Sequence, residues 1–365
     1  MNKIYNFSQV ASSLPEEVMK QFNQALVQYS DSGISLMDIS PNSQEFKDIL
    51  SEAESSLKEL MQIPDNYRIL FLQGGATTQF AAIPLNLLSE HKCADYIITG
   101  QHSRRAYLEA KKYGDIAIAA SSAGASPTFS AVPEVTGSHI RPDADYVHIC
   151  YNNTIYGTKF NAIPDTGSIP LVADMSSCIL SEPFDVSKFA LIYASAQKNI
   201  SIAGLTVVII REDIIGGCRA DAPDMLNYKV LADGKSSYNT PPVWSIYIAM
   251  LMFKWLLSLG GLDEMKRRNE RKASLLYDYL DSQQKYFTSP VDRNCRSMTN
   301  VLFFTGDAEL DRLFCEQAAE VGLINLKGHV SVGGLCASLY NAMPYEGVEK
   351  LVAFMKKFAA ENPKL

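Results

Sequence analysis

The spacing of apolar residues changes period along the chain. LPEEVMKQFNQALVQY and QEFKDILSEAESSLKELMQI place them at helical intervals, and Pro15 with two glutamates opens the first of these segments. Short runs rich in β-branched and aromatic residues follow: YRILFLQ, ADYIITG, DYVHICY, IPLVADMS, FALIYASA and LTVVIIR. Most end in Gly, Asn, Asp or Ser, and helical stretches such as TQFAAIPLNLL and SRRAYLEAKKYG lie between several of them. This alternation predicts an α/β fold, a mostly parallel central sheet covered by helices on both faces. In such sheets the loops at the carboxyl ends of the strands build the ligand site. Further on, PPVWSIYIAMLMFKWLLSLGG reads as a long buried helix closed by Gly260-Gly261, and EMKRRNERKASLLYDYLDSQ as a helix with a charged outer face. The stretch from MTNVLFF to LVAFMKKFAAE alternates strand and helix signals again. The expected division is an N-terminal arm with a large domain over residues 1–260 and a smaller α+β domain over 261–365.

Composition narrows the function. The 365 residues are 47% hydrophobic and 20% charged, as in an ordinary globular protein. A net charge of −7 argues against a general nucleic-acid surface, which needs clustered basic charge. MNKIYNFSQV lacks the apolar core of a secretory signal, and the longest apolar run, IAMLMFKWLL, is broken by Lys254. No membrane association is expected. The seven cysteines are scattered without a CxxC pair, so neither a metal site nor a disulfide framework is expected, and the chain reads as cytoplasmic with reduced thiols.

Three features carry candidate chemistry. QGGATTQF, Gln73 to Phe80, joins a strand to a helix. Its glycines allow close backbone approach, and the helix N-terminus offers free N–H groups to an anion. Alone, the loop is more often a tight strand-to-helix turn. Asp174 ends the buried run LVAD, where a carboxylate needs a partner or serves as a cap. Lys198 follows the next buried run, so its amine and the Asp174 carboxylate should share one mouth. Phosphate cradle, carboxylate and amine together suit pyridoxal 5′-phosphate: the lysine forms the Schiff base, the carboxylate pairs with the pyridinium nitrogen, and the N–H groups take the phosphate.

Longer motifs carry a resemblance. NFS and LPEEV near the start, LFLQGGATTQF, NNTIYGT, ADMSSCILSEPFDVSKF, QKN with AGLTVVIIRED, YNTPP, and KGH, SVGG and ASLYNAMP resemble the phosphoserine aminotransferase family, class-V members of the fold-type I pyridoxal-phosphate enzymes. The resemblance runs nearly end to end. It implies Lys198 as the Schiff-base lysine and Asp174 as the pyridinium partner. It implies backbone contacts from Ala76 and Thr77 to the phosphate, a further phosphate contact from Gln197, and Thr154 beside the ring hydroxyl. It also implies a homodimer with shared sites, in which Asn239 and Thr240 reach the phosphate bound by the other subunit. The small-molecule partners would be an amino acid and a 2-oxo acid.

The departures from the family fall mainly on the substrate side. Gln9, Val10 and Ala11 replace Ala-Gly-Pro, and Pro41 and Asn42 replace a His-Arg pair. His102 replaces the tryptophan that stacks on the cofactor ring, Ser201 and Ile202 replace Gly-Pro, and Val330 and Cys336 replace two arginines. In the family, the arginines matching Asn42, Val330 and Cys336 bind the substrate's phosphate and carboxylates, and only His329 of that anion-binding set remains. Charge-assisted bonds of this kind are worth about 1.5–3 kcal/mol each. Retention of Lys198 and Asp174 nevertheless favours a working enzyme. The expectation is therefore an aminotransferase acting on a different, less anionic amino acid. The alternatives are a genuine phosphoserine aminotransferase with anion contacts from Arg104, Arg105, Lys235 or Arg296, and a non-catalytic cofactor-binding protein.

Overall fold

The computed structural model describes residues 3–364. Seven strands form the central sheet: β1 (Tyr67–Gly74), β2 (Cys93–Ile98), β3 (Asp115–Ser121), β4 (Tyr146–Cys150), β5 (Leu171–Asp174), β6 (Leu191–Ser195) and β7 (Gly204–Arg211). Their spatial order is β1-β7-β6-β5-β4-β2-β3. β7 runs antiparallel to both β1 and β6, and the other neighbours are parallel. Six strands thus point the same way, and their carboxyl ends open on one edge.

Every residue of β4, β5 and β6 is buried, which explains why these strands read as unbroken apolar runs. Their side chains divide by parity. Ile192 and Ala194 pack with α1 (Glu16–Val27), α2 (Gln44–Met61) and α5 (Val243–Ser258) on one face. Leu191 and Tyr193 pack with α3 (Ala76–Leu87) and α4 (Gln101–Ala110) on the other. α2 starts where the Ser43 hydroxyl accepts the Phe46 N–H. α5 is apolar around most of its circumference because it is almost wholly enclosed. At φ +106°, Gly260 turns the chain from α5 into α6 (Gly261–Ser282), a conformation that favours glycine. Among the described residues, no single helix is long and apolar enough to cross a membrane.

The C-terminal part has its own core. There α6, α7 (Ala308–Glu320) and α8 (Tyr345–Glu361) pack on the antiparallel pair β8 (Asn300–Phe303) and β9 (Leu335–Ser338). Tyr5 and Phe7 belong to this core, because Tyr5–Asn6 pairs in parallel with Leu323–Ile324. The N-terminal arm is therefore bound to the C-terminal part, which a simple division after residue 260 does not capture: backbone pairing and two buried aromatic rings hold it there.

Candidate active site

The register of the sheet brings the candidate groups together. Asp174 ends β5, opposite Cys150 on one side and Tyr193 on the other. Its carboxylate is buried, and Oδ1 accepts the Ser176 N–H at 2.9 Å. Oδ2 takes no hydrogen bond from the described residues and is left for a cationic or N–H partner. Lys198 lies three residues beyond the end of β6, in a turn closed by the Ile200 and Ser201 N–H groups on the Ala196 carbonyl. Its Nζ donates to Thr154 Oγ1 at 2.8 Å. Burial lowers the Lys198 pKa, with the Asp174 carboxylate acting in the opposite direction. A lowered pKa increases the fraction of free amine, the nucleophilic form.

His102 is the second residue of α4, at the carboxyl end of β2. Burial first, and then the Lys198 ammonium, pull its pKa down to about 4, so the ring is neutral at ordinary pH. A neutral flat ring here can stack on another, with a smaller face than tryptophan offers. Arg105 and His329 add to the same downward shift.

Ala76 and Thr77 open α3 directly after Gly74 and Gly75. Gly74 has φ +110°, and a Cβ there would meet Thr78 Oγ1 at 2.6 Å. The turn therefore requires glycine, and it presents the first N–H groups of α3, which have no intrahelical acceptor, on the same edge as Lys198. Gln197 is held from two sides: the Ser195 hydroxyl donates to its Oε1 at 2.6 Å, and the Ser12 N–H to its carbonyl at 3.0 Å. The segment 8–13 crosses the mouth. Gln9 Nε2 reaches the Lys327 carbonyl at 3.4 Å, and the Tyr340 hydroxyl donates to the Gln9 carbonyl at 2.9 Å.

The expected donor-side residues are more scattered. His329 accepts the Ser331 N–H at Nδ1 in an open loop, and the adjacent Val330 is 93% exposed. Asn42 is exposed beside Ser40, and Asn239 and Thr240 are exposed next to Gln73, whose Nε2 donates to the Thr240 carbonyl. Cys336 stands apart. It is completely buried in β9 among Val291, Cys295 and Leu302, and burial pushes its thiol up to about 12. Strand alternation points this small side chain inward. Of the alternative cations, Arg296 is already committed: it bonds both oxygens of Asp281 at 2.8 and 3.0 Å and stacks on Tyr277.

One neighbour of the site escaped the sequence reading. His148 in β4 lies on the same sheet face as Asp174, stacks on Tyr96 at 4.6 Å and shares a 2.9 Å hydrogen bond with the Tyr193 hydroxyl. Burial pulls its pKa down to about 4, and Asp174 acts in the opposite direction. A histidine in the otherwise apolar run DYVHICY was the available signal.

Comparison with known proteins decides the family. Residues 4–351 match the model of the family Aminotransferase class-V. The chain is 50% identical over 362 residues to a phosphoserine aminotransferase of Bacillus cereus, covering 99% of this chain and 100% of the relative. It is 51% identical over 366 residues to one of Nitrosomonas europaea, covering 98% and 99%. The chain belongs to the phosphoserine aminotransferase family, within the class-V aminotransferases. Solved structures agree. The phosphoserine aminotransferase of Bacillus circulans subsp. alkalophilus superposes with a TM-score of 0.95 at 42% identity, over 98% of this chain and 99% of that one. A pyridoxal-phosphate-bound phosphoserine aminotransferase of Trichomonas vaginalis gives 0.89 at 36% identity, over 97% and 100%. Family membership makes the chain a transferase whose family cofactor is pyridoxal 5′-phosphate, and it favours an enzyme over a non-catalytic protein. The residues present fit that group: an amine with lowered pKa, a carboxylate with one oxygen unengaged, and a glycine turn that ends in free N–H groups.

Proposed function

We propose that the chain transfers the amino group of phosphoserine to a 2-oxo acid, using pyridoxal 5′-phosphate. The supporting observation is identity near 50%, end to end, with proteins named phosphoserine aminotransferase. Bound at this site, the cofactor would supply an electron sink for the bond made weak at the donor's Cα. Lys198 would hold it covalently and then move the Cα proton, Asp174 Oδ2 would pair with the pyridinium nitrogen, and Thr154 would lie beside the ring hydroxyl. The N–H groups of Ala76 and Thr77, with Gln197, would take the phosphate, and the neutral His102 ring would cover the cofactor's face. His329 and Arg105 both act on His102 electrostatically, and in this reading they meet the donor's anionic groups.

A second copy of the chain would complete each site. The exposed apolar side chains of Met37, Ile202, Tyr238 and Trp244 surround Asn239 and Thr240, and a dimer would cover them while offering both residues to its partner's cofactor. Seven free thiols suit a reducing compartment, consistent with the cytoplasm.

A second reading has one observation in its favour. Asn42, Val330 and Cys336 provide no cation, so the pocket could instead take a less anionic amino acid. The comparisons favour phosphoserine. Steady-state kinetics decide between the two. A kcat/KM for phosphoserine of about 10⁴ M⁻¹s⁻¹ or more supports the first reading. A value far below that, with faster turnover of a neutral amino acid, overturns it in favour of the second.

A further inference from the structure

Three carbonyls in succession follow the strand that carries Asp174, and each meets a different buried asparagine. Asn199 Nδ2 donates to the Ile179 carbonyl at 2.9 Å, Asn341 Nδ2 to Leu180 at 2.8 Å, and Asn269 Nδ2 to Ser181 at 2.9 Å. The asparagines are also joined to one another. The backbone N–H of Asn341 donates to Asn199 Oδ1 at 3.0 Å, and Asn269 Nδ2 donates to Asn341 Oδ1 at 2.9 Å. One helical turn beyond Asn269, Lys272 directs its Nζ at three carbonyls, those of Leu339, Tyr340 and Met343, at 3.2, 2.9 and 3.1 Å. These carbonyls flank Asn341, and all four side chains are buried.

The ladder connects three parts of the molecule. Asn199 is the residue after Lys198. Residues 179–181 end the turn that leaves Asp174, and there Leu180 has φ +62°, a conformation a leucine adopts only when its surroundings impose it. Asn341 lies between β9 and α8, and Asn269 and Lys272 belong to α6. The loops bearing the amine and the carboxylate are thus both tied to the C-terminal part. Burying three amides and an ammonium is costly when apolar side chains could fill the same volume. What directional bonds add is a fixed orientation for the peptides they hold.

We propose that Asn199, Asn341, Asn269 and Lys272 are positioning residues for Lys198, through which the C-terminal part sets the direction of its amine. The proposal rests on the assignment of Lys198 as the cofactor-bearing lysine. Among the described residues, the hydrogen bond of the Lys198 side chain goes to Thr154 and not to any of the four. They act through Asn199, the residue beside it.

Two variants of the full-length protein, loaded with pyridoxal phosphate, test this. Lys272→Met removes three donors from the 339–343 loop without touching the mouth. Asn199→Ala removes the link itself. Both are compared with Met355→Ala, a core variant of the C-terminal part chosen to lose thermal stability by packing alone. Measurements are made well below each melting temperature. The readouts are kcat and KM, the pH midpoint of the visible absorbance band, and the rate of borohydride fixation at Lys198 by peptide mass spectrometry. The expected result is a kcat lowered about 10- to 100-fold with KM changed less than about twofold, since misplacement of roughly 1 Å can cost that much. The midpoint should shift and fixation should slow, while Met355→Ala keeps the parent values. Loss of melting temperature alone in both ladder variants overturns the proposal. If Asn199→Ala fails to fold, Lys272→Met carries the test, and the absorbance and fixation readouts require no knowledge of the donor. Fixation that persists elsewhere in Lys198→Ala would refute the assignment beneath the proposal, an outcome distinct from failure of the ladder.

Discussion

The proposed cofactor and donor sides differ most clearly residue by residue. Asp174 is buried and Lys198 half-buried, the one engaged by the Ser176 N–H and the other by the Thr154 hydroxyl. Lys198→Ala should abolish borohydride fixation and the visible band together, and a peptide map showing fixation at another lysine would contradict it. Val330 is so exposed that arginine fits there without repacking. Val330→Arg should therefore raise kcat/KM for phosphoserine about tenfold, the value of one modest charge-assisted bond. An unchanged value would mean that the phosphate never passes this loop. Cys336 offers no such opportunity, because a guanidinium there would begin inside a packed strand. His148 gives a pH prediction. Its folded pKa of about 4 lies below the unfolded value of about 6.5, so the unfolded chain binds the proton first as pH falls. Stability from this group is present above pH 6.5 and is lost toward pH 4, by about 3 kcal/mol over the window. Chemical denaturation of His148→Phe at pH 7 and pH 5 should show a smaller loss than the parent does.

At the scale of elements, the mouth depends on how strands end. β1 can deliver α3's free N–H groups only because Gly74 turns at positive φ against Thr78. Gly74→Ala should cost about 1–3 kcal/mol of stability and weaken cofactor affinity, seen as a lower melting temperature and a raised Kd for pyridoxal phosphate. An unaltered Kd would remove the turn from the phosphate site. Much of this level was legible in the sequence. Strands buried on both faces read as continuous apolar runs, and chain order placed Asp174 and Lys198 at consecutive strand ends. β3 escaped notice because DIAIAAS lies at the sheet edge, half exposed and rich in alanine, where neither burial nor strand propensity leaves a strong mark. The reversed direction of β7 was illegible for another reason: side-chain alternation has the same period whichever way a strand runs. The asparagine ladder joins residues 179–181, 199, 269 and 341, and no local pattern reveals a partnership over such separations.

At the scale of the whole molecule, the apolar patch around Thr240 is where the proposed second copy would sit. Light scattering of the cofactor-saturated protein at micromolar concentration should give twice the 40.3 kDa of one chain. A monomer with full cofactor occupancy would contradict the shared site. The path of the N-terminal arm has a further consequence, for the order of events during synthesis. Tyr5 and Asn6 find their strand partners only at Leu323 and Ile324, so they must wait for residues synthesised far later. Segment 8–13, which crosses the mouth and holds Gln197 through Ser12, likewise takes its Gln9 partners from Lys327 and Tyr340. The central sheet, whose strands end at Arg211, can assemble while the arm is still loose. Until that pairing forms, the mouth lacks the segment that crosses it in the folded chain.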